Sequence, residues 1–372
     1  MKKIVALCIC MLFVNCNLFT CYGNSKPLEF MAKGIVVMQA SSGRVLFEQN
    51  AYEKLPMAST TKIMTALLAL EEKDIDEPFI VNEKAIQVEG TSMGLKVGDE
   101  VTLRTLAYGM LMPSGNDAAG AAAIKIAGSI PKFAQMMNEK AKVIGLKDTN
   151  FVTPSGLDAP EHYTTAYDLA LLSSYALENP DFKAICKENS AKVSFGSPAR
   201  RVTLKNHNKL LKQYDGAVGV KTGYTKKAGR CLVSAVEKDG MTLICVTLKA
   251  ADDWNVHETL YDYFFDKATN IPIAPTVINR LVAVVGSDIE QVSIFPARET
   301  VTVFGEEGNR IKFKFHIPTF LYAPISKGDH VGKIEVYVKE VRIDSIPLLA
   351  QETIDYKSKK RIGIFDWFSN KD

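Results

Sequence analysis

Three short stretches carry side chains whose types and spacing could do covalent chemistry. The first is Ser59-x-x-Lys62, inside the run MASTTKIM at 57–64. Helical residues three apart share a face about one turn apart, so the hydroxyl and the amine can meet. A serine hydroxyl is a weak nucleophile until a base takes its proton, and a lysine of depressed pKa can be that base. The second stretch is Ser114-Gly115-Asn116 and the third is Lys221-Thr222-Gly223. Singly, each has a plainer reading: an exposed helix start with a solvated lysine, a turn, a strand end. Their order, and the different kind of element each falls on, argue jointly for a cleft with one motif on each wall.

The elements that must position them follow from periodicity. Pro56 stops what precedes it, and Ile63, Leu67 and Leu70 recur at helical spacing, which predicts an amphipathic helix with Ser59 in its first turn. The N-terminus of that helix adds positive potential where an oxyanion would form. Residues 34–38 and 44–48 read as a hairpin around Ser41-Ser42-Gly43. A helix starts near 99–107 with Thr102 as N-cap, and Asp117 is positioned to cap an alanine-rich helix running to Ala127. Further helices are expected over 133–144, closed by Gly145, and over 165–176, capped near Thr164 or Thr165, with a loop at 148–163 between them. Residues 218–223 read as a strand ending at glycine. Strands 231–236 and 241–246 flank Asp239-Gly240, a strong hairpin signal, and a helix over 253–265 closes the region. Five strands with helices before, between and after predict an α/β fold, an antiparallel sheet covered by helices. Beyond the prolines of 271–275, period-two alternation with no helix signal (Val282, Val284, then Ile311, Phe313, Phe315) predicts a second, small all-β domain.

At 372 residues the chain suggests two domains, and 47% hydrophobic with 23% charged residues is ordinary for a globular protein. The formal charge of +3 falls by two without Lys2 and Lys3, which is no nucleic-acid footprint. Lys2-Lys3, an apolar run at 4–13 and small or polar residues up to Gly23 predict an export signal over 1–23. The rival, an uncleaved anchor, needs the Val14 and Leu18 region recruited to span a bilayer. Only Cys186, Cys231 and Cys245 remain past the leader; Cys231 and Cys245 could pair, although core packing suits them better. The five histidines are scattered and no C-x-x-C occurs, so neither a metal nor a cofactor is expected.

The three motifs together resemble those of the low-molecular-mass penicillin-binding proteins of the D-alanyl-D-alanine carboxypeptidase family. The resemblance extends to GTSMGLK at 90–96, SGNDAA at 114–119, GLD at 156–158, HYTTAYDLA at 162–170, KTGYT at 221–225 and Ala228-Gly229. It runs from about residue 30 to 265, and the β domain and tail beyond fit the family's layout. It implies a β-lactamase/transpeptidase-like catalytic domain over 24–270, the all-β domain over 276–355 and a tail over 356–372. It also implies an exported hydrolase that removes the terminal D-alanine from peptidoglycan stem peptides ending in D-Ala-D-Ala, and that β-lactams acylate. Ser59 would be the nucleophile, Lys62 its base, and Ser114 the relay to the leaving nitrogen. Asn116 would bind the substrate amide, and Lys221 with Thr222 the free carboxylate. Gly223 would allow close backbone approach, and the N–H groups of Ser59 and Tyr224 would form the oxyanion hole. Near 206–209 the family has a basic residue by the cleft; His207 and Lys209 both qualify here, and neither is assigned. His162 has a structural and a catalytic reading.

Two rivals share the fold. A β-lactamase would need a device for hydrolysing its acyl-enzyme, and the surroundings of Glu178-Asn179 do not match the loop that carries one. A non-catalytic β-lactam receptor is disfavoured by intact catalytic positions. The tail joins Lys357, Lys359, Lys360 and Arg361 to Ile362, Ile364, Phe365, Trp367 and Phe368, which suits a peripheral anchor on the outer face of the cytoplasmic membrane.

Overall fold

The computed structural model describes residues 29–273 and 280–356. The expected leader at 1–23 and the basic, aromatic part of the tail, 357–372, lie outside the described residues.

Strands β1 (Gly34–Gln39) and β2 (Arg44–Gln49) form the first hairpin; β3 (Ala217–Thr225), β4 (Gly229–Lys238) and β5 (Met241–Leu248) complete a five-stranded sheet. Its order is β2-β1-β5-β4-β3, antiparallel throughout, so β3 is an edge. All six residues of β1 are buried, which is why it reads as a continuous apolar run. Asp239 (φ 51°) and Gly240 (φ 76°) turn β4 into β5 in the left-handed pair that matches strand twist.

The longer helices of this part are α1 (Lys62–Leu70), α2 (Leu103–Leu111), α3 (Asn116–Ala127), α4 (Ile130–Ile144), α5 (Ala166–Leu177), α6 (Pro180–Lys187) and α7 (Asp253–Lys267). The Thr102 hydroxyl accepts from Thr105 N and that of Thr165 from Asp168 N, so both expected caps form. Helix α4 starts three residues before the expected Phe133, because Ser129 caps it and Pro131 fits its first turn. The hairpin of Ser190–Phe195 with Arg200–Lys205 was not foreseen; lysine and arginine interrupt its apolar alternation. Helix α7 is fastened across the sheet by buried polar groups. Ser234 Oγ lies 2.6 Å from His257 Nδ1 and 2.7 Å from the Tyr261 hydroxyl, and Thr247 Oγ1 lies 3.0 Å from His257 Nε2.

Past α7 the chain is β-rich. Ala268–Pro272 pairs with Thr300–Phe304, so the proline-bearing segment starts as a strand. A six-stranded sheet runs from the edge Ile311–His316 through His330–Val338, Val341–Ala350, Gln291–Pro296 and Arg280–Val285 to Phe320–Tyr322. Its core, including Val292, Ile294, Ile334, Val336, Ile346 and Leu348, forms a cluster separate from that around α1. A junction residue, Glu307, accepts from both terminal guanidinium nitrogens of Arg44 and from Phe304 N at 2.9 Å.

Candidate active site

Ser59 sits in a tight 3-10 turn, Ala58–Thr61, that runs into α1. This corrects the expected amphipathic helix: the α-helix begins at Lys62, and all nine of its residues are buried. Threonine hydroxyls hold the turn, Thr60 Oγ1 donating to Met57 O at 2.6 Å and Thr61 Oγ1 to Ala58 O at 2.8 Å. Ala58 has φ 47°, a left-handed conformation costly for a residue with a Cβ. Gly156 presses on the same turn; a Cβ there would lie 1.9 Å from Ala58 O.

His162 braces this turn from behind. Its Nδ1 accepts from Val152 N at 2.9 Å, so the proton of the neutral ring is on Nε2, which donates to Thr61 Oγ1 at 2.9 Å. Burial pushes the imidazole down to about 4. Of its two readings, the structural one fits these contacts.

The Lys62 amine is buried and has three neighbours: Ser59 Oγ at 2.9 Å, Asn116 Oδ1 at 2.6 Å and Ser155 O at 2.7 Å. A neutral amine has two N–H donors and one lone pair. The amide and carbonyl oxygens take the two hydrogens, which leaves the lone pair for the Ser59 hydroxyl proton. Burial, then the positive Lys221, hold this pKa well below the usual lysine value, against a smaller opposing effect of Asp117. The site therefore supplies a base poised on a nucleophile.

Ser114 and Asn116 stand where α2 gives way to α3. Ser114 adopts φ 65°, and Asn116 is the first residue of α3 rather than part of the turn before it. Asp117 does not act as the expected N-cap; Gly115 occupies that position. Its carboxylate instead accepts from Met93 N (2.9 Å), Gly94 N (3.0 Å), Leu95 N (3.0 Å) and the Ser92 hydroxyl. That ties the 90–95 stretch to the motif, and Asn116 Nδ2 donates to Glu89 O beside it. The signal was the GTSMGLK resemblance, which gave no partner for the loop.

On β3, the strand continues past Gly223 to Thr225 instead of ending there. A Cβ on Gly223 would stand 3.0 Å from Ser59 N and 3.1 Å from Met57 O, so glycine lets the edge strand meet the serine turn itself. The Lys221 amine is buried and donates to Thr222 O at 2.8 Å; burial pushes its pKa down to about 7.

Between these walls lies a cleft of about 430 Å³. Ser59, Ser114, Asn116, Thr222, Gly223 and Tyr224 line it; Lys62 and Lys221 lie buried behind. His207 and Lys209 both line it as well, so the structure leaves each beside the cleft. Sequence reasoning missed Arg230 and Trp254, which also line it. Asp253 Oδ1 accepts from Arg230 Nη2 at 2.6 Å. The three cysteines of this part are free and buried, and Cys231 lies opposite Leu248 while Cys245 lies opposite Ser234. Among the described residues no cluster of three acidic, histidine or cysteine side chains could hold a metal, and no helix is long and apolar enough to cross a membrane.

A serine on a tight turn and a buried lysine at the start of the helix that follows, facing the glycine-bearing edge of a five-stranded antiparallel sheet, define the active-site-serine class of penicillin-binding folds. The D-alanyl-D-alanine carboxypeptidase family model matches residues 22–252, and that of the penicillin-binding protein 5 C-terminal domain matches 276–356. D-alanyl-D-alanine carboxypeptidase DacF of Bacillus subtilis is 33% identical over 344 residues, spanning 88% of this chain and 87% of its own length. DacC of Escherichia coli is 32% identical, spanning 87% of this chain and 84% of its own length. Among solved structures, penicillin-binding protein 5 from Haemophilus influenzae superposes with a TM-score of 0.69 at 26% identity, covering 89% of this chain and 99% of that one. The chain belongs to the D-alanyl-D-alanine carboxypeptidase family, which makes it a serine peptidase of the cell wall.

Proposed function

We propose that this enzyme trims the terminal D-alanine from peptidoglycan stem peptides through an acyl-enzyme on Ser59. Lys62 takes the hydroxyl proton as Ser59 Oγ attacks the penultimate D-alanine carbonyl. Ser114 passes a proton to the departing D-alanine nitrogen, and water then hydrolyses the ester. Asn116 orients both the substrate amide and Lys62, while Thr222 and charged Lys221 hold the free carboxylate. The N–H groups of Ser59 and Tyr224 receive the oxyanion; a donor of this kind contributes about 3 kcal/mol in comparable sites. The observation that carries the reading is the 2.9 Å contact between Lys62 Nζ and Ser59 Oγ, with the amine's other two contacts filled by acceptors.

We read residues 1–23 as the leader, 24–270 as the catalytic domain, 276–355 as the β domain and 356–372 as a tail. The mature enzyme then works outside the cell membrane, held to its outer face by the tail. The test is D-alanine release from diacetyl-L-Lys-D-Ala-D-Ala beside the rates of penicillin acylation and deacylation. Release of D-alanine with slow deacylation is expected, and Ser59→Ala should abolish both release and labelling. Rapid deacylation without peptide turnover would instead make the protein a β-lactamase. Labelling without turnover of either would make it a receptor.

A further inference from the structure

One hairpin of the catalytic part carries charge that the chemistry at Ser59 does not use. Residues 189–214 hold six lysines and arginines and no acid, against a formal charge of +3 for the whole chain, so basic charge is concentrated there. Most of the stretch is the hairpin of Ser190–Phe195 with Arg200–Lys205. Val193, Phe195 and Leu204 are buried in the core around α1, which fixes its underside. Arg200 shares that side: its guanidinium lies 4.5 Å from the centre of the Phe195 ring and pairs with Asp99, which cancels its charge.

The outward side differs. Ser190, Lys192 and Ser194 on one strand and Arg201, Thr203 and Lys205 on the other are all exposed. Ser190 pairs with Lys205, Lys192 with Thr203 and Ser194 with Arg201, so each cation stands opposite a hydroxyl rather than another cation. Like charges directly opposite would destabilise the ladder. The neighbouring ion pairs are made by Lys183 and Arg200, and among the described residues none reaches Lys192, Arg201 or Lys205. A cation beside a hydroxyl is a donor set that suits a carboxylate. Arg201 and Lys205 stand about 13 Å apart along their strand, which suits several separated carboxylates better than one small anion.

This face leads to the cleft. Asn206 N donates to Asn189 O at 2.9 Å and closes the base of the hairpin. His207 N then donates to Met112 O at 3.3 Å, two residues before Ser114, and His207 and Lys209 line the cleft. Two residues of chain reach at most about 7 Å, so Lys205 begins the face beside the cleft lining.

We propose that the outward face of this hairpin is a docking surface for the polymeric substrate, its cations and hydroxyls taking free carboxylates of stem peptides next to the one in the cleft. The inference rests on the peptidoglycan substrate proposed above and adds a contact outside the cleft. Continuity chooses the occupant, because the anionic polymer that must pass the cleft at His207 and Lys209 is peptidoglycan itself. Exposed contacts of this kind are weak and salt-sensitive singly, and several on one chain hold a polymer together. A short soluble peptide fills the cleft alone and gains nothing from them.

The test compares the enzyme with the triple variant Lys192→Gln/Arg201→Gln/Lys205→Gln. All three side chains are exposed and outside the cleft lining, so D-alanine release from diacetyl-L-Lys-D-Ala-D-Ala should be unchanged, which checks the fold. On acid-extracted peptidoglycan with pentapeptide stems, the variant should show a KM about tenfold higher at unchanged kcat. It should also pellet less with that material. At about 1 M salt, where exposed charges are screened beyond a few ångströms, the difference should vanish. Equal KM and equal pelleting by parent and variant overturn the proposal. So does a deficit seen only on walls that keep their phosphodiester polymers, or only on phosphatidylglycerol vesicles, since another polyanion would then be the occupant. If the parent releases D-alanine from neither substrate, the proposed activity falls, while pelleting still decides the docking surface.

Discussion

Gly223 lies against Ser59 so closely that a methyl group on its Cα would come within 3.0 Å of the serine's backbone nitrogen. The edge of the sheet and the nucleophile's turn are thus one surface, and any side chain at 223 must push them apart. Gly223→Ala should lower the acylation rate by about tenfold or more, since it displaces the Ser59 N–H proposed above to receive the oxyanion. Stopped-flow acylation by a chromogenic cephalosporin measures it, beside a melting curve to show that the fold persists. Acylation at the parent rate would mean that the turn yields without consequence.

The carboxylate-binding role proposed for Lys221 carries a pH signature. Its amine has a pKa near 7, so it is charged below that value and loses its charge as pH rises through it. Acylation by a penicillin with a free carboxylate should therefore decline above about pH 7. The methyl ester of the same penicillin should lack that limb, and Lys221→Gln should remove it. Superimposable profiles for acid and ester would dismiss the role. Lys62 does not produce the decline, because its own pKa is lowered and deprotonation only makes it a better base.

Asp117 gathers three backbone N–H groups and a hydroxyl from residues 92–95, next to Asn116. Asp117→Ala leaves the buried Met93 and Leu95 N–H groups without an acceptor, at a cost of about 3 kcal/mol. It should also loosen Asn116 and so lower kcat more than it changes the fold's secondary structure. Denaturant unfolding together with peptide turnover checks both. An unfolding midpoint equal to the parent's would show that solvent replaces the carboxylate.

What could be read in the sequence depended on whether the information was local. Thr102 and Thr165 cap helices through hydroxyls three residues from their partners, and Asp239-Gly240 turns a hairpin by itself, so these were legible. The three motifs were legible by type and order, and the fold brings all of them to one cleft. The shape of the Ser59 turn was not, because it depends on Gly156 and His162, about a hundred residues away. Asp117 looked like a cap because capping is the local use of aspartate; its partners come from a loop over twenty positions earlier. Burial of Lys221 was equally hidden, since a lysine in a strand is normally solvated.

The brace behind the nucleophile should make the fold acid-sensitive. His162 has its Nδ1 facing the Val152 N–H, so a proton there would set two donors against each other. The folded ring titrates at about 4, below its ordinary value of 6.5. Between those values the unfolded chain binds a proton that the folded chain refuses, so unfolding becomes more favourable as pH falls from 6.5 towards 4. At the lower end the loss is up to about 3 kcal/mol for this ring. His257, also buried and lowered to about 3, adds a slope of the same sign. Urea midpoints measured from pH 7.5 down to 4.5 should fall steadily, and His162→Gln should make the decline shallower while lowering the midpoint at neutral pH. The two profiles would run parallel if His162 were solvated and bound its proton equally in both states.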